Sequence, residues 1–422
     1  MTGAARNAPF AILREKDFLF FSAARLAAST GQGLFTLIIL THIYLITGSP
    51  FQIGILGLIR LVPALVLALY AGAIADSYDR KRILLLTQIV PIVCSAVLFA
   101  TTVSNTISLN LIYVLVFVIS IASAFEGPVR QAILPALVRR EMFQKAITFN
   151  QIVGGAAGPT GAALAGFLIK FFGVSGAYGG HIVLLALAAF GVLLLRPRPI
   201  EAEARTPVSM ESIKEGLRFV WHRQTLIGPM TLDLFAVIFA GAAALLPVYA
   251  YTVLDVGPGG LAILAGAADV GSLITAGVLV LLPPVQRAGR ALMLAIAAFG
   301  LGTIAFGLSR SFPLSVALYT FIGAADQVGL VMRHTTVQMA TPDALRGRVS
   351  SVASLFSNSS NRLGDAESGF VAAATSATFA VVSGGIGCLV ALGVVAIALP
   401  DLRKYRVEPV ESIEPVEALV EV

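Results

Sequence analysis

The chain has 422 residues, 57% of them apolar and only 12% charged, against roughly 45–50% and 25% in a soluble domain. With a mean hydropathy of +0.89, a water-soluble particle would lack the polar surface to stay dispersed, so lipid is the principal solvent. The formal charge of +6 sits mostly in loops and reads as a topology signal, not a nucleic-acid surface. Cys94 and Cys388 each lie inside an apolar run, the pattern of small core residues without a disulfide or metal framework.

A membrane helix needs about 20 predominantly apolar residues. After a short basic segment, 1–17, apolar runs occupy about 18–46, 51–75, 82–103, 107–127, 146–170, 177–195, 225–253, 260–282, 289–308, 312–333, 349–374 and 378–399. The first is too long for a signal-peptide core of about 7–15 apolar residues and reads as an uncleaved span. The expectation is an all-α membrane protein with twelve transmembrane helices. With the N-terminus inside, 24 of the 29 cations fall in cytoplasmic segments and only Lys170 and Arg310 outside. Both termini are therefore expected in the cytoplasm of a plasma (inner) membrane.

The longest hydrophilic stretch, 196–224, divides the chain into six runs and six: 18–195 and 225–399. Its first part is a proline-punctuated linker. Its second places Ile213, Leu217, Val220 and Trp221 on one face, predicting a short amphipathic helix at the membrane surface. The tail, 400–422, is an acidic repeat expected to be disordered. The segments Arg130–Lys145 and Arg333–Arg348 echo each other, their flanking cations offset by 203 positions. Such internal repetition is a transporter signature.

Between the second and third runs stands Gly72-Ala73-Ile74-Ala75-Asp76-Ser77-Tyr78-Asp79-Arg80-Lys81-Arg82. Asp76 and Arg80 are four apart and share a face if the helix continues, as a charged stop or as a latch. In the fifth run, Gly154, Gly158, Pro159, Gly161 and Gly166 allow close helix approach and a bend. The first stretch resembles the conserved loop of the major facilitator superfamily, matching at Gly72, Ala75, Asp76, Arg80, Lys81 and Leu84. It departs at Ser77, where arginine is usual, and at Asp79, where glycine is usual, as in the branch of enterobactin exporters and macrolide efflux proteins. The second resembles the motif of the superfamily's proton-driven exporters.

The resemblance implies two pseudo-symmetric six-helix bundles, gating by Gly72, Asp76, Arg80 and Lys81, and a central cavity lined by spans one, four, seven and ten. Charges within spans are expensive, about 2.5–3.5 kcal/mol each at the helix centre, and are functional candidates. Arg25 and Glu126 are cavity and substrate candidates; Asp326, Asp233 and Asp269 are candidates for carrying the proton, Asp326 first. Arg60 and Asp365 lie at similar depths in spans two and eleven, which adjoin in the superfamily, predicting an interdomain ion pair. The four histidines show no metal-ligand spacing, and no phosphate-cradling loop indicates a built-in ATPase.

The expected function is proton-coupled export of a small amphipathic organic molecule, siderophore or drug-like, by a bacterial inner-membrane monomer. Its partners are substrate, protons and membrane lipids, with no nucleic acid, cofactor or metal. A lysolipid flippase of the same fold is the alternative; an importer or an integral-membrane enzyme is more remote.

Overall fold

The computed structural model describes residues 12, 15–139, 142–196, 218–221, 223–282, 285–341 and 346–405, and within the helices not the side chains of 68–77, 144–145, 148, 151–152, 155–156, 158–159, 346–348, 350–351, 354–355, 358 and 404. The segment 1–11, most of the linker and the tail beyond 405 lie outside the described residues. Of the expected amphipathic helix only 218–221 is described; it is helical, with Val220 buried and Trp221 exposed.

Five long helices come first: α1 Lys16–Thr47, α2 Pro50–Ser77, α3 Arg80–Val103, α4 Leu109–Leu137 and α5 Phe143–Leu193. After the linker follow α6 Gln224–Phe239, α7 Gly257–Leu281, α8 Ala288–Leu308, α9 Phe312–Met339, α10 Arg346–Ala374, α11 Ala377–Ala398 and the short α12 Pro400–Lys404. Local chemistry marks several starts. Ser108 and Ser376 side chains accept from the backbone N–H of Leu111 and Phe379, satisfying donors that a helix leaves unpaired. Asp79 does the same for Lys81 and Arg82 at the start of α3, a role that the glycine usual at that position could not fill.

At 51 residues, α5 would measure about 76 Å if straight, more than twice the hydrocarbon thickness of about 30 Å. It breaks at Gly173, whose φ of 71° and ψ of −178° suit a residue without Cβ, and Gly180 beyond the break lies against Leu168 before it. The fifth and sixth apolar runs thus meet in one element, with a glycine where a loop was expected. Beyond α6, the seventh run continues through a 3₁₀ turn at Ala242–Leu245 and a π-helical turn at Tyr249–Val253.

Ten described helical segments are long and apolar enough to cross a membrane. The eleventh run, α10, is not among them, because Ser351, Ser354, Ser357, Asn358, Arg362, Asp365 and Glu367 dilute its apolar residues. Exposed Val280, Leu281, Leu273, Leu294 and Ile397 give α7, α8 and α11 apolar outer faces, which water would penalise and hydrocarbon would not.

Helices α1–α5 pack among themselves, as do α6–α11, and the two sets meet mainly along α2 with α10 and α5 with α7. At the ends that carry Tyr44 and Tyr249, one apolar core runs through both sets, joining Ile43 and Ile53 to Tyr249 and Leu261. At the opposite ends, where Arg82, Arg139 and Arg196 emerge, the cores are separate. Phe18, Phe21 and Ile133 belong to one set, Leu232 and Leu292 to the other. The sets are joined at one end and, among the described residues, have no common core at the other.

Glycine permits the closest approaches. A Cβ at Gly161 would strike the Thr30 carbonyl and lie 2.7 Å from the Leu34 nitrogen, both on the α1 backbone. Gly161→Ala is expected to cost about 1–3 kcal/mol, read as a lowered unfolding temperature in detergent. Gly277→Ala, where a Cβ meets nothing within 4 Å, is expected to be neutral or slightly stabilising.

Candidate functional site

The charged residues within the helices fall into three groups. The first lies between α6, α9 and α10. Asp233 forms an ion pair with Arg333 and accepts a hydrogen bond from Ser357 Oγ at 3.1 Å. The pair borders a cleft whose walls include Val237, Ile296 and Phe299 and whose other carboxylate is Asp326. Asp326 is exposed and has no hydrogen-bond or ion-pair partner among the described residues. The cavity therefore offers an apolar lining, one neutralised pair and one free carboxylate. Asp269 on α7 stands apart from it, with a buried Oδ2 that no described donor reaches.

The second group lies between α1, α4 and α5. Arg130 Nη2 is 3.1 Å from Glu126 Oε1, one turn away on α4. The Arg25 guanidinium occupies the space where a Cβ at Gly154 would stand, within electrostatic range of Glu126 and Arg130. Gly154 thus makes room for an arginine, a reason that its sequence neighbours do not reveal.

The third group bridges the two sets. Arg60 Nη1 lies 3.8 Å from Asp365 Oδ2, and Arg362 Nη1 lies 3.9 Å from the same oxygen. Arg60 also donates to Thr36 Oγ1 at 2.9 Å. Gly57 and Gly369 bring α2 and α10 close enough for this. One carboxylate is shared by two guanidinium groups that cannot shed their charge.

Of the four gating candidates, Gly72 and Asp76 have surroundings outside what the structure describes, and Arg80 has contacts of its own. Lys81 Nζ donates to the carbonyls of Leu193 and Leu195, both at 2.7 Å. It caps the end of α5 within its own set, where free carbonyls attract a cation. In the glycine motif Gly161 faces α1 and Gly166 faces Ala262 of α7; the surroundings of Gly158 and Pro159 are outside what the structure describes. His42 lies 2.9 Å from Tyr178 OH, and His181 lies 2.7 Å from Ser95 Oγ, all buried in the first set.

Arg130 and Arg333 count as loop cations in the sequence, yet both lie inside helices, 17% and 12% exposed, each against a carboxylate. The signal that could have found Arg130 is the regular helical spacing of Glu126 and Arg130; Arg333, whose partner is 100 positions away, had none. Ser357, which holds Asp233, gave no signal at all.

The fold and these interior charges define a multi-pass membrane transporter. The family described as Transmembrane secretion effector (MFS_3) matches residues 7–421, and the chain belongs to it, within the major facilitator superfamily. The chain is 23% identical to the enterobactin exporter EntS of Escherichia coli over 391 residues, 92% of each chain. It is 35% identical to the staphyloferrin A transporter of Staphylococcus aureus over 125 residues, 29% of this chain and 32% of that one. Among solved structures, a bacterial homolog of the human lysosomal transporter Spinster, inward-facing and unoccupied, superposes with a TM-score of 0.72 at 16% identity, covering 94% of this chain and 99% of that one. The nucleoside transporter NupG superposes with a TM-score of 0.65 at 14% identity, covering 92% and 99%.

Proposed function

We propose that the protein is a secondary transporter that exports a small amphipathic organic molecule, siderophore-like or drug-like, by proton antiport. Residues 18–195 and 225–399 rock against each other as two six-helix bundles, with both termini in the cytoplasm. Relatives named for siderophore export and transport support the cargo class. The observation that carries the reading is the single apolar core at one end of the two sets and the separate cores at the other. A closed end and a parted end are what alternating access requires of one of its states. In this reading the parted end is cytoplasmic, the cavity at Asp233 and Asp326 receives cargo, and Asp326 carries the proton. The Arg60–Asp365–Arg362 group holds the bundles together in this state.

Tyr44 OH and Thr252 Oγ1 are hydrogen-bonded across the closed end. With Cys94 and Cys388 replaced by serine, Tyr44→Cys and Thr252→Cys bridged by a reducible bifunctional thiol reagent are expected to stop export in vesicles. Reduction should restore it. Full export by the bridged protein would end the alternating-access reading.

A further inference from the structure

The two sets carry the same site with opposite contents. Helices α4 and α9 start 203 positions apart, and so do α5 and α10. The same offset relates Arg130 to Arg333 and Gly154 to Ser357. Helices α1 and α6 start 208 positions apart, and that offset relates Arg25 to Asp233. It also relates Tyr44 to Thr252, which meet across the closed end, so the offset is a spatial correspondence and not only a numerical one.

In the second set the corner made by α6, α9 and α10 is complete. Asp233 supplies a carboxylate, Arg333 binds it, and Ser357 donates to it. In the first set the matching corner has Arg130 in the place of Arg333, Gly154 in the place of Ser357, and Arg25 where the carboxylate would be. Arg130 takes its counter-ion from Glu126 on its own helix. Arg25 has no hydrogen-bond or ion-pair partner among the described residues, and its Nε is buried without an acceptor. Arg25, Arg130 and Glu126 leave one net positive charge, whereas Asp233, Arg333 and Asp326 leave one net negative charge.

We infer that Arg25, backed by Arg130, is a subsite for a singly charged organic anion, a carboxylate on the transported molecule, which completes the first corner as Asp233 completes the second. Arginine suits this role because its planar fork presents paired donors to a carboxylate and stays charged. Gly154 contributes by leaving the guanidinium room beside α5. The inference rests on the transporter reading for the word cargo, but the subsite itself does not require transport.

The test uses the full chain in nanodiscs of zwitterionic phosphatidylcholine, so that no anionic headgroup competes. Calorimetry compares three probes with one apolar body: 1-naphthoate, 1-naphthylmethanol and 1-naphthylmethylammonium. Naphthoate is expected to bind about tenfold or more tightly than the alcohol, which corresponds to about 1.4 kcal/mol. Arg25→Gln should remove that preference while leaving the alcohol's affinity unchanged. Arg25→Asp, which recreates the second corner by giving Arg130 an internal carboxylate, should fold as stably as the parent and also lose it. No preference in the parent protein, or a preference that survives Arg25→Asp, would overturn the subsite. Carboxylate binding without transport in vesicles would leave the subsite standing and remove the exporter reading. Proton-coupled export without any carboxylate preference would do the reverse.

Discussion

Asp365→Ala is expected to destabilise the protein by about 3–5 kcal/mol, well beyond the cost of Arg60→Ala. The reason lies in the sharing of one carboxylate by two cations, at 3.8 Å and 3.9 Å. Removing Asp365 leaves the Arg60 and Arg362 guanidiniums close together with no counter-ion, and stranding a buried charge costs about that much. Removing Arg60 leaves Asp365 still paired with Arg362, and only Thr36 loses its donor. The double variant should be less damaged than the two losses added together, because Asp365→Ala harms chiefly through Arg60. A coupling energy of about 0.5–3 kcal/mol is the range for residues in contact. Thermal unfolding in nanodiscs of the four proteins measures it, and strict additivity would mean that the pair contributes nothing across the α2–α10 contact.

Asp326→Asn is expected to act in the opposite sense, abolishing proton-coupled export while leaving stability unchanged or improved. Asp326 has no ion-pair partner among the described residues to be stranded by its loss. An ionised carboxylate near the middle of a span costs about 2.5–3.5 kcal/mol by insertion scales, so neutralising it removes a cost. The amide keeps the size and polarity of the side chain and loses the ability to take up and release a proton. Substrate-driven alkalinisation or acidification inside sealed vesicles reads the coupling, and an unfolding scan reads the stability. Coupled export at the parent rate would exclude Asp326 as the carrier and pass the question to Asp269, whose Oδ2 is also without a described partner. Asp365 and Asp326 thus differ by environment alone: Asp365 is held between arginines, whereas Asp326 faces the cavity.

Much of the architecture was legible because membrane insertion is a local, compositional property. Runs of about 20 apolar residues announce helices whatever they pack against, and the helices from Lys16 to Ala398 fall close to those runs. Where composition and structure part, the cause is specific. The Gly173 break is one residue long, too short for a window average to detect. α10 carries polar residues along a helix that packs against α2 and α6, so it needs less apolar surface than a helix facing lipid on several sides.

The charges were less legible. Their positions in spans were plain, but an ion pair depends on the rotation of two helices about their axes and on their relative depth. Asp233 and Arg333 are 100 positions apart, and Asp365 and Arg60 are more than 300 apart. Nothing in the neighbourhood of either member names its partner; Arg60 and Asp365 could be paired beforehand only through their similar depths and the adjacency of spans two and eleven that the resemblance implies. Gly154 shows the same limit: glycine in a membrane helix has many uses, and only the approach of Arg25 from α1 selects one.

By itself, then, the sequence determined that this chain lives in lipid, that it is helical, and that it belongs with the major facilitator transporters. Hydropathy and short loop motifs are written in neighbouring residues, and they need no knowledge of distant ones. Apart from the Arg60–Asp365 pair, tertiary structure alone decided which charges are compensated and which are not. Compensation is a matter of a few ångströms between helices far apart in the chain, and the same arginine is a loop cation, a paired core residue or an open site depending on what the next helix brings to it.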